Sequence, residues 1–192
     1  IPFDLRWSME MHPLLGYTWW SLAISVIALI GWKGYRNAGI GFNLVPKLKD
    51  LYITLLALLM ILVVVVPPGL ISGFLTFSVP EKFNGLKLGA EFVGLFLTVA
   101  LPEELFFRGI LLRGLERVSS LKWVPMVVSS LAFGLMHWNN VNGLSTQITY
   151  VILATLAGLG YAWAYKKSGN NLLAAMLTHT LVDWIWRLIF AG

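Results

Sequence analysis

The sequence contains no cysteine. Disulfides, thiolate metal sites and cysteine nucleophiles are therefore excluded, and any metal would need histidine and carboxylate ligands. Charge is scarce as well. Only 12% of the 192 residues are Asp, Glu, Lys or Arg, where a soluble domain carries about 25%. What fills the chain is apolar, 58% by count with a mean hydropathy of +0.77. This is the composition of an integral, multi-pass membrane protein, and the length suits a single transmembrane domain over 1–192. The net charge of +5 falls in short connections between apolar runs. That is an orientation signal rather than a nucleic-acid patch, so the lipid bilayer is the expected partner and nucleic acid is not.

The apolar runs predict an all-α polytopic bundle of about six transmembrane helices, since a helical span needs about 20 residues. They cover residues 14–32, 51–77, 86–115, 123–138, 144–165 and 171–190. Residues 1–13 mix Phe3 and Trp7 with charges, which reads as an interfacial segment and not a cleavable signal, with His12 at headgroup level. Basic residues follow the first run (Lys33, Arg36, Lys47, Lys49), the third (Arg113, Arg117, Lys122) and the fifth (Lys166, Lys167). This alternation orients those connections to the cytoplasm and both termini away from it. Pro67–Pro68–Gly69 predicts a break in the second run. Ala154, Gly158 and Ala162 recur every four residues, a stripe that lets another helix approach closely. No internal repeat of the transporter kind is present.

Against this background the polar intrusions stand out. Glu103, Glu104 and Arg108 interrupt the third run, His137 ends the fourth, and His179 and Asp183 lie near the middle of the sixth. An ionisable group at the bilayer centre costs roughly 2.5 kcal/mol or more, so such groups pair, line a polar cavity or do chemistry. At 1.5 Å per residue, Glu103, His137 and His179 lie about 15, 18 and 12 Å from the basic side. One layer near mid-membrane accommodates all of them. Glu104 and Arg108 are four residues apart and able to pair, as are His179 and Asp183. Glu103 is turned by about 100° from Glu104, toward a cavity. Asp183 is placed to accept from the imidazole and set its tautomer. A carboxylate in an apolar pocket suits a general base acting on water, with one histidine orienting that water and another facing the oxyanion. No serine stands beside a histidine to offer a covalent route.

Three short patterns carry a family resemblance. They are Glu103–Glu104–Leu105–Phe106–Phe107–Arg108, Phe133–Gly134–Leu135–Met136–His137, and His179–Thr180–Leu181–Val182–Asp183. In this order, on separate predicted spans, they resemble the CPBP (CAAX protease and bacteriocin-processing) intramembrane proteases. These are also called the Abi family, and their eukaryotic relatives are the type II CAAX prenyl endopeptidases. The resemblance covers residues 95–190, the expected catalytic core. It implies Glu103 as the water-activating carboxylate, His137 as its partner on the water, and His179 with Asp183 as the half of the site that stabilises the oxyanion. Glu104 and Arg108 are implied as support. Many relatives have asparagine where this chain has Asp183, and an ionised aspartate cannot donate to an oxyanion; a His-orienting or metal-ligating role suits it better. A divalent metal such as zinc, if one is used, would fall to Glu103, His137 and His179, and both a metal-dependent and a metal-free glutamate route fit the family.

The expected activity is an intramembrane endopeptidase acting on a membrane-associated peptide or protein. The compactness of the chain fits a prokaryotic plasma membrane, where peptide or bacteriocin maturation suits it better than a prenylated substrate. A non-catalytic scaffold or immunity protein that retains the fold, and a proton-coupled transporter, are the competing classes. Loss of function on Glu103→Ala separates the first from a protease, and flux without proteolysis identifies the second.

Overall fold

A computed structural model describes residues 41, 43, 45–79 and 84–191. The expected interfacial segment 1–13 with His12, the span at 14–32, and Lys33 and Arg36 of the first basic loop lie outside the described residues. Helix α1 is Leu48–Ile71. Its first turn is closed by Asp50, whose carboxylate accepts the Lys47 N–H at 3.1 Å. The expected break at Pro67–Pro68–Gly69 is not there: the helix runs through both prolines to Ile71. Proline fixes a helical φ and removes only its own donor and the bond to the carbonyl four residues back. Here those carbonyls belong to Val63 and Val64, and the helix continues to its C-cap, where the Ser72 N–H donates to Pro68 O at 3.0 Å. The rest of the expected second span turns off as strand β1, Thr76–Phe77.

The third run forms one unbroken helical path from Gly85 to Val118. It comprises α2 (Gly85–Leu95), a π-helical stretch Phe96–Ala100, α3 (Leu101–Glu104), a second π-helical stretch Leu105–Leu112, and α4 (Arg113–Val118). The Asn84 side chain caps its start by accepting the Lys87 N–H at 3.1 Å. Pro102 lies one residue beyond the first wide turn, in which the Leu101 N–H reaches back to Phe96 O. The helix absorbs its proline by widening, and π turns of this kind concentrate at functional sites. Then follow α5 (Val124–Met136), a 3₁₀ turn Trp138–Asn140, α6 (Leu144–Lys167), α7 (Leu172–Ile189) and strand β2, Phe190–Ala191. Strands β1 and β2 pair antiparallel, Thr76 opposite Ala191 and Phe77 opposite Phe190. This two-stranded ribbon is a small departure from the all-α expectation.

Helix α6 is the hub, packed against α5, α1 and α7. Its Tyr161 and Tyr165 share a core with Ile61 of α1, Phe133 of α5 and Met176 of α7. The outer surface is apolar instead: Leu55, Leu59 and Val63 of α1 are 59–65% exposed, an arrangement suited to lipid. Lipid tails are as apolar as leucine, so close packing and buried hydrogen bonds hold such helices together. Both are visible. A Cβ on Gly134 would collide with Thr155 Oγ1 and the Val151 carbonyl, and one on Gly160 with the Ile61 side chain. At the basic end, Asn171 caps α7 by accepting the Leu173 N–H and donates to Asp50 Oδ2 at 3.0 Å, tying the starts of α7 and α1 together. Thr54 adds a bond to the Ala174 carbonyl. Glu116 of α4 is held by Arg113 and by Lys166 of α6.

Three helices, α1, α6 and α7, are long and apolar enough to cross a membrane. The expected count of six is not reached among the described residues. The third run is subdivided by its π turns. Helix α5, with 13 residues, is about 20 Å long against a hydrocarbon core of about 30 Å.

Two outcomes follow from this packing. Gly134→Ala forces backbone against backbone and should destabilise the bundle by about 1–3 kcal/mol, read as a lower melting temperature in detergent. Burial raises the Glu116 carboxyl, but the Lys166 and Arg113 hydrogen bonds outweigh it and hold the group below its ordinary 4.5. A carboxylate depressed on folding stabilises above its unfolded value and loses that contribution as pH falls through its folded value. The melting difference between wild type and Glu116→Gln should therefore hold steady above pH 4.5 and vanish well below it.

Candidate active site

The third helical path and α7 bring their polar residues together. Glu103 and Glu104 sit on the single α-helical turn between the two π stretches, and His179 of α7 lies against both. Its Nδ1 is 2.8 Å from Glu104 Oε1. Its Nε2 is 3.9 Å from Glu103 Oε2 and 3.5 Å from Asp183 Oδ2. The two glutamates point in different directions from one helix, and the imidazole reaches each with a different edge. Glu103, Glu104, Arg108 and His179 are all buried, whereas the Asp183 side chain is 31% exposed.

Behind the histidine the charges are anchored. Arg108 Nη1 donates to Glu104 Oε1 at 2.7 Å, so one carboxylate oxygen accepts from both arginine and imidazole. Arg108 Nη2 donates to the Gly158 carbonyl at 2.8 Å. The guanidinium also lies over the rings of Phe133 and Tyr161, 4.8 and 5.3 Å from their centroids. A Cβ at Gly158 would come within 3.2 Å of both Arg108 Nη2 and Phe133. The small-residue stripe on α6 is thus more than a packing face, since its glycine also supplies a buried acceptor. Among the described residues, Glu104 Oε2 and Arg108 Nε have no hydrogen-bond partner.

The expected approach of Asp183 to the imidazole is present at Nε2, and a second carboxylate lies closer at Nδ1. His179 Nδ1 donates its short hydrogen bond to Glu104, and Asp183 Oδ2 lies 3.5 Å from the other nitrogen. The reason is tertiary: spacing of four along α7 brings Asp183 near, but the packing of α7 against α3 delivers a closer carboxylate from another helix.

His137 is the residue that caps the C-terminus of α5, half-buried rather than inside a helix. Its Nδ1 is 2.8 Å from the Phe133 carbonyl. A carbonyl only accepts, so Nδ1 carries the proton and Nε2 offers its lone pair in the neutral ring. Phe133 packs against both imidazoles, its ring 4.8 Å from that of His137 and 5.5 Å from that of His179. Among the described residues no three histidine, aspartate or glutamate side chains form a group able to hold a metal ion. Glu103, His137 and His179 are thus not gathered into such a group here, although each imidazole, hydrogen-bonded at Nδ1, keeps Nε2 as its outward nitrogen.

The model of the type II CAAX prenyl endopeptidase Rce1-like family matches residues 86–185. The chain belongs to that family. The match covers just over half of the chain and takes in Glu103, Glu104, Arg108, His137, His179 and Asp183. No significant match is found among the curated proteins or the solved structures. In this Rce1-like protein the matched segment is the one that carries the buried polar cluster, and its apolar helices make it an integral membrane protein.

Two tyrosines belong to the site that no motif marked. Tyr161 stacks face to face on His179, centroids 4.5 Å apart and planes 14° apart. Tyr150 packs on His137 at 5.2 Å, bonds Asn140, and lies in the field of Asp183 and Glu103. In sequence both are aromatic residues in an apolar run. The one signal is that Tyr161 follows Gly158 by three residues, on the face the small stripe defines.

Arg108→Met should be strongly destabilising. It removes one partner of a fully buried ion pair and leaves Glu104 uncompensated, a change that costs about 3–5 kcal/mol. Replacing both partners with apolar residues should recover most of the melting temperature without restoring the site, which separates charge burial from volume.

Proposed function

We propose that this protein is an intramembrane endopeptidase that hydrolyses a peptide bond of a membrane-associated peptide or protein through water activated by Glu103. The observation that carries the reading is the position of His179, clamped at Nδ1 by Glu104 and facing Glu103 and Asp183 with Nε2. A separation of 3.9 Å between Glu103 Oε2 and His179 Nε2 is too long for a direct hydrogen bond. One small molecule in contact with both is compatible with it.

In this reading Glu103 removes a proton from water as the oxygen attacks the carbonyl carbon. His137 Nε2 accepts the water's second O–H and aims its lone pair. The carbonyl electrons move onto oxygen, and the His179 N–H faces the charge that develops there. When the tetrahedral intermediate collapses, the C–N bond breaks and Glu103 returns its proton to the departing amine. The products are a carboxylic acid, which keeps the water's second hydrogen until it ionises, and an amine, and no covalent enzyme intermediate is formed. Glu104 and Arg108 take no proton; they fix the imidazole, and misplacement of a reacting group by about 1 Å can cost 10²-fold. The family's name points to a substrate cut near a prenylated C-terminus, and the apolar surface suits a lipid-linked chain.

Glu103→Gln keeps shape and removes the base. Reconstituted protein should lose cleavage of a fluorogenic CAAX peptide by roughly 10²–10⁴-fold, with its melting temperature unchanged. Prenylated and unprenylated forms of the peptide test the lipid requirement, and mass spectrometry of membrane peptides from cells tests substrates at large. A Glu103→Gln protein that cuts at the wild-type rate would remove this reading.

A further inference from the structure

At its basic end the bundle carries a cavity of about 390 Å³ lined by Glu116, Ser119, Lys122, Pro125 and Lys166. That size falls within the range of about 300–1,000 Å³ usual for small-molecule sites. The lining comes from α4, the connection after it, α5 and α6. The one carboxylate in the lining is already spent: Glu116 Oε1 accepts from Lys166 and Oε2 from Arg113. Lys122, Lys166 and Arg113 against Glu116 leave two positive charges in excess. Lys166 gives one N–H to Glu116, and an ammonium carries three. Lys122 is exposed and makes no ion pair among the described residues. Ser119 instead spends its hydroxyl on the Leu121 carbonyl and shapes the turn that leads into Lys122. Ammonium donors lining a cavity with surplus positive charge suit an anion.

Depth narrows the choice of anion. Glu116 follows Glu103 by thirteen residues, about 20 Å at 1.5 Å per residue. With Glu103 near mid-membrane, that distance passes the edge of a hydrocarbon core about 30 Å thick and ends in the headgroup layer. Val118, Leu121 and Trp123, beside the lining residues in sequence, are 52–82% exposed, and tryptophan favours this interfacial level. From here Val128, Leu131 and Leu135, 39–58% exposed, run along α5 back toward the membrane centre. Their spacing of three and four sets them on one helix face as an apolar ridge. A soluble phosphate would use the cavity alone, whereas a lipid uses the cavity and the ridge.

We propose that this cavity binds the headgroup phosphate of an anionic phospholipid, with Lys122 and Lys166 as its cations and the acyl chains lying along the α5 ridge. The inference is independent of the glutamate–water reading and needs only that the chain resides in a membrane. A zwitterionic lipid offers the same phosphate but carries its own ammonium into a cavity already positive, and like charges repel. The bound headgroup joins the connection after α4 to the end of α6, adding to the tie that Glu116 and Lys166 make.

The test is a titration of the purified protein in detergent with phosphatidylglycerol, phosphatidylcholine and glycerol 3-phosphate, bound lipid being counted by native mass spectrometry and the melting temperature followed in parallel. Phosphatidylglycerol should bind about tenfold tighter than phosphatidylcholine and raise the melting temperature, and glycerol 3-phosphate at the same concentration should do neither. A lysine near an anionic headgroup is worth roughly fivefold in affinity, and more inside a cavity than on an open surface. Lys122→Gln should therefore weaken phosphatidylglycerol binding by about tenfold and leave the lipid-free melting temperature near wild type. Lys122→Arg keeps the charge and should stay within about threefold of wild type. Arg117→Gln and Lys167→Gln remove exposed cations at the same end but outside the lining, and should also stay within about threefold. Equal binding of the two lipids, normal binding by Lys122→Gln, or losses in the Arg117 and Lys167 variants as large as its own would overturn the assignment. So would glycerol 3-phosphate matching phosphatidylglycerol, which marks a site for soluble phosphate.

Discussion

Everything at the centre of this protein hangs on one oxygen atom. Glu104 Oε1 accepts from Arg108 at 2.7 Å and from His179 at 2.8 Å. Without the arginine, a buried carboxylate would face another carboxylate from the next residue, a costly pairing in a medium of low dielectric. Without the carboxylate, the imidazole would have no short partner. The arginine is in turn held by the Gly158 carbonyl and two aromatic faces. The chain of support thus runs from α6 through the third helical path to α7, and each step is buried.

That support explains a division of labour between adjacent glutamates. Glu104 is spent on structure and Glu103 is left near Nε2, although the two are chemically identical. Burial alone does not separate them, since both are enclosed. Direction does. The short α-helical turn between two π stretches turns them toward different edges of one ring. The widened turns also let Pro102 sit at this depth without ending the helix, so the local irregularity is what carries the carboxylates to the imidazole.

Much of the site was legible because charge is so improbable in these runs. Glu103, Glu104, Arg108, His179 and Asp183 announce themselves in apolar sequence, and helical spacing of four pairs the right residues. The contributions of Tyr150, Tyr161 and the Gly158 carbonyl were not legible. An aromatic residue or a glycine in a membrane helix is ordinary, and a backbone acceptor leaves no trace in residue type. The helix across Pro67 and Pro68 was misjudged for a related reason. Proline reports a local tendency, and the surrounding structure decides whether it prevails.

The amino-acid sequence by itself determined the class of molecule: helices in lipid, basic ends, and a few ionisable groups too expensive to keep without a purpose. It also determined which residues those are, because composition and spacing are local quantities. Only the tertiary structure decided who holds whom. The closer approach of Glu104 than of Asp183 to His179, the ring of Phe133 against both imidazoles, and the stacking of Tyr161 all depend on how helices far apart in the chain cross, and a contact between distant segments is not encoded in the periodicity of either one.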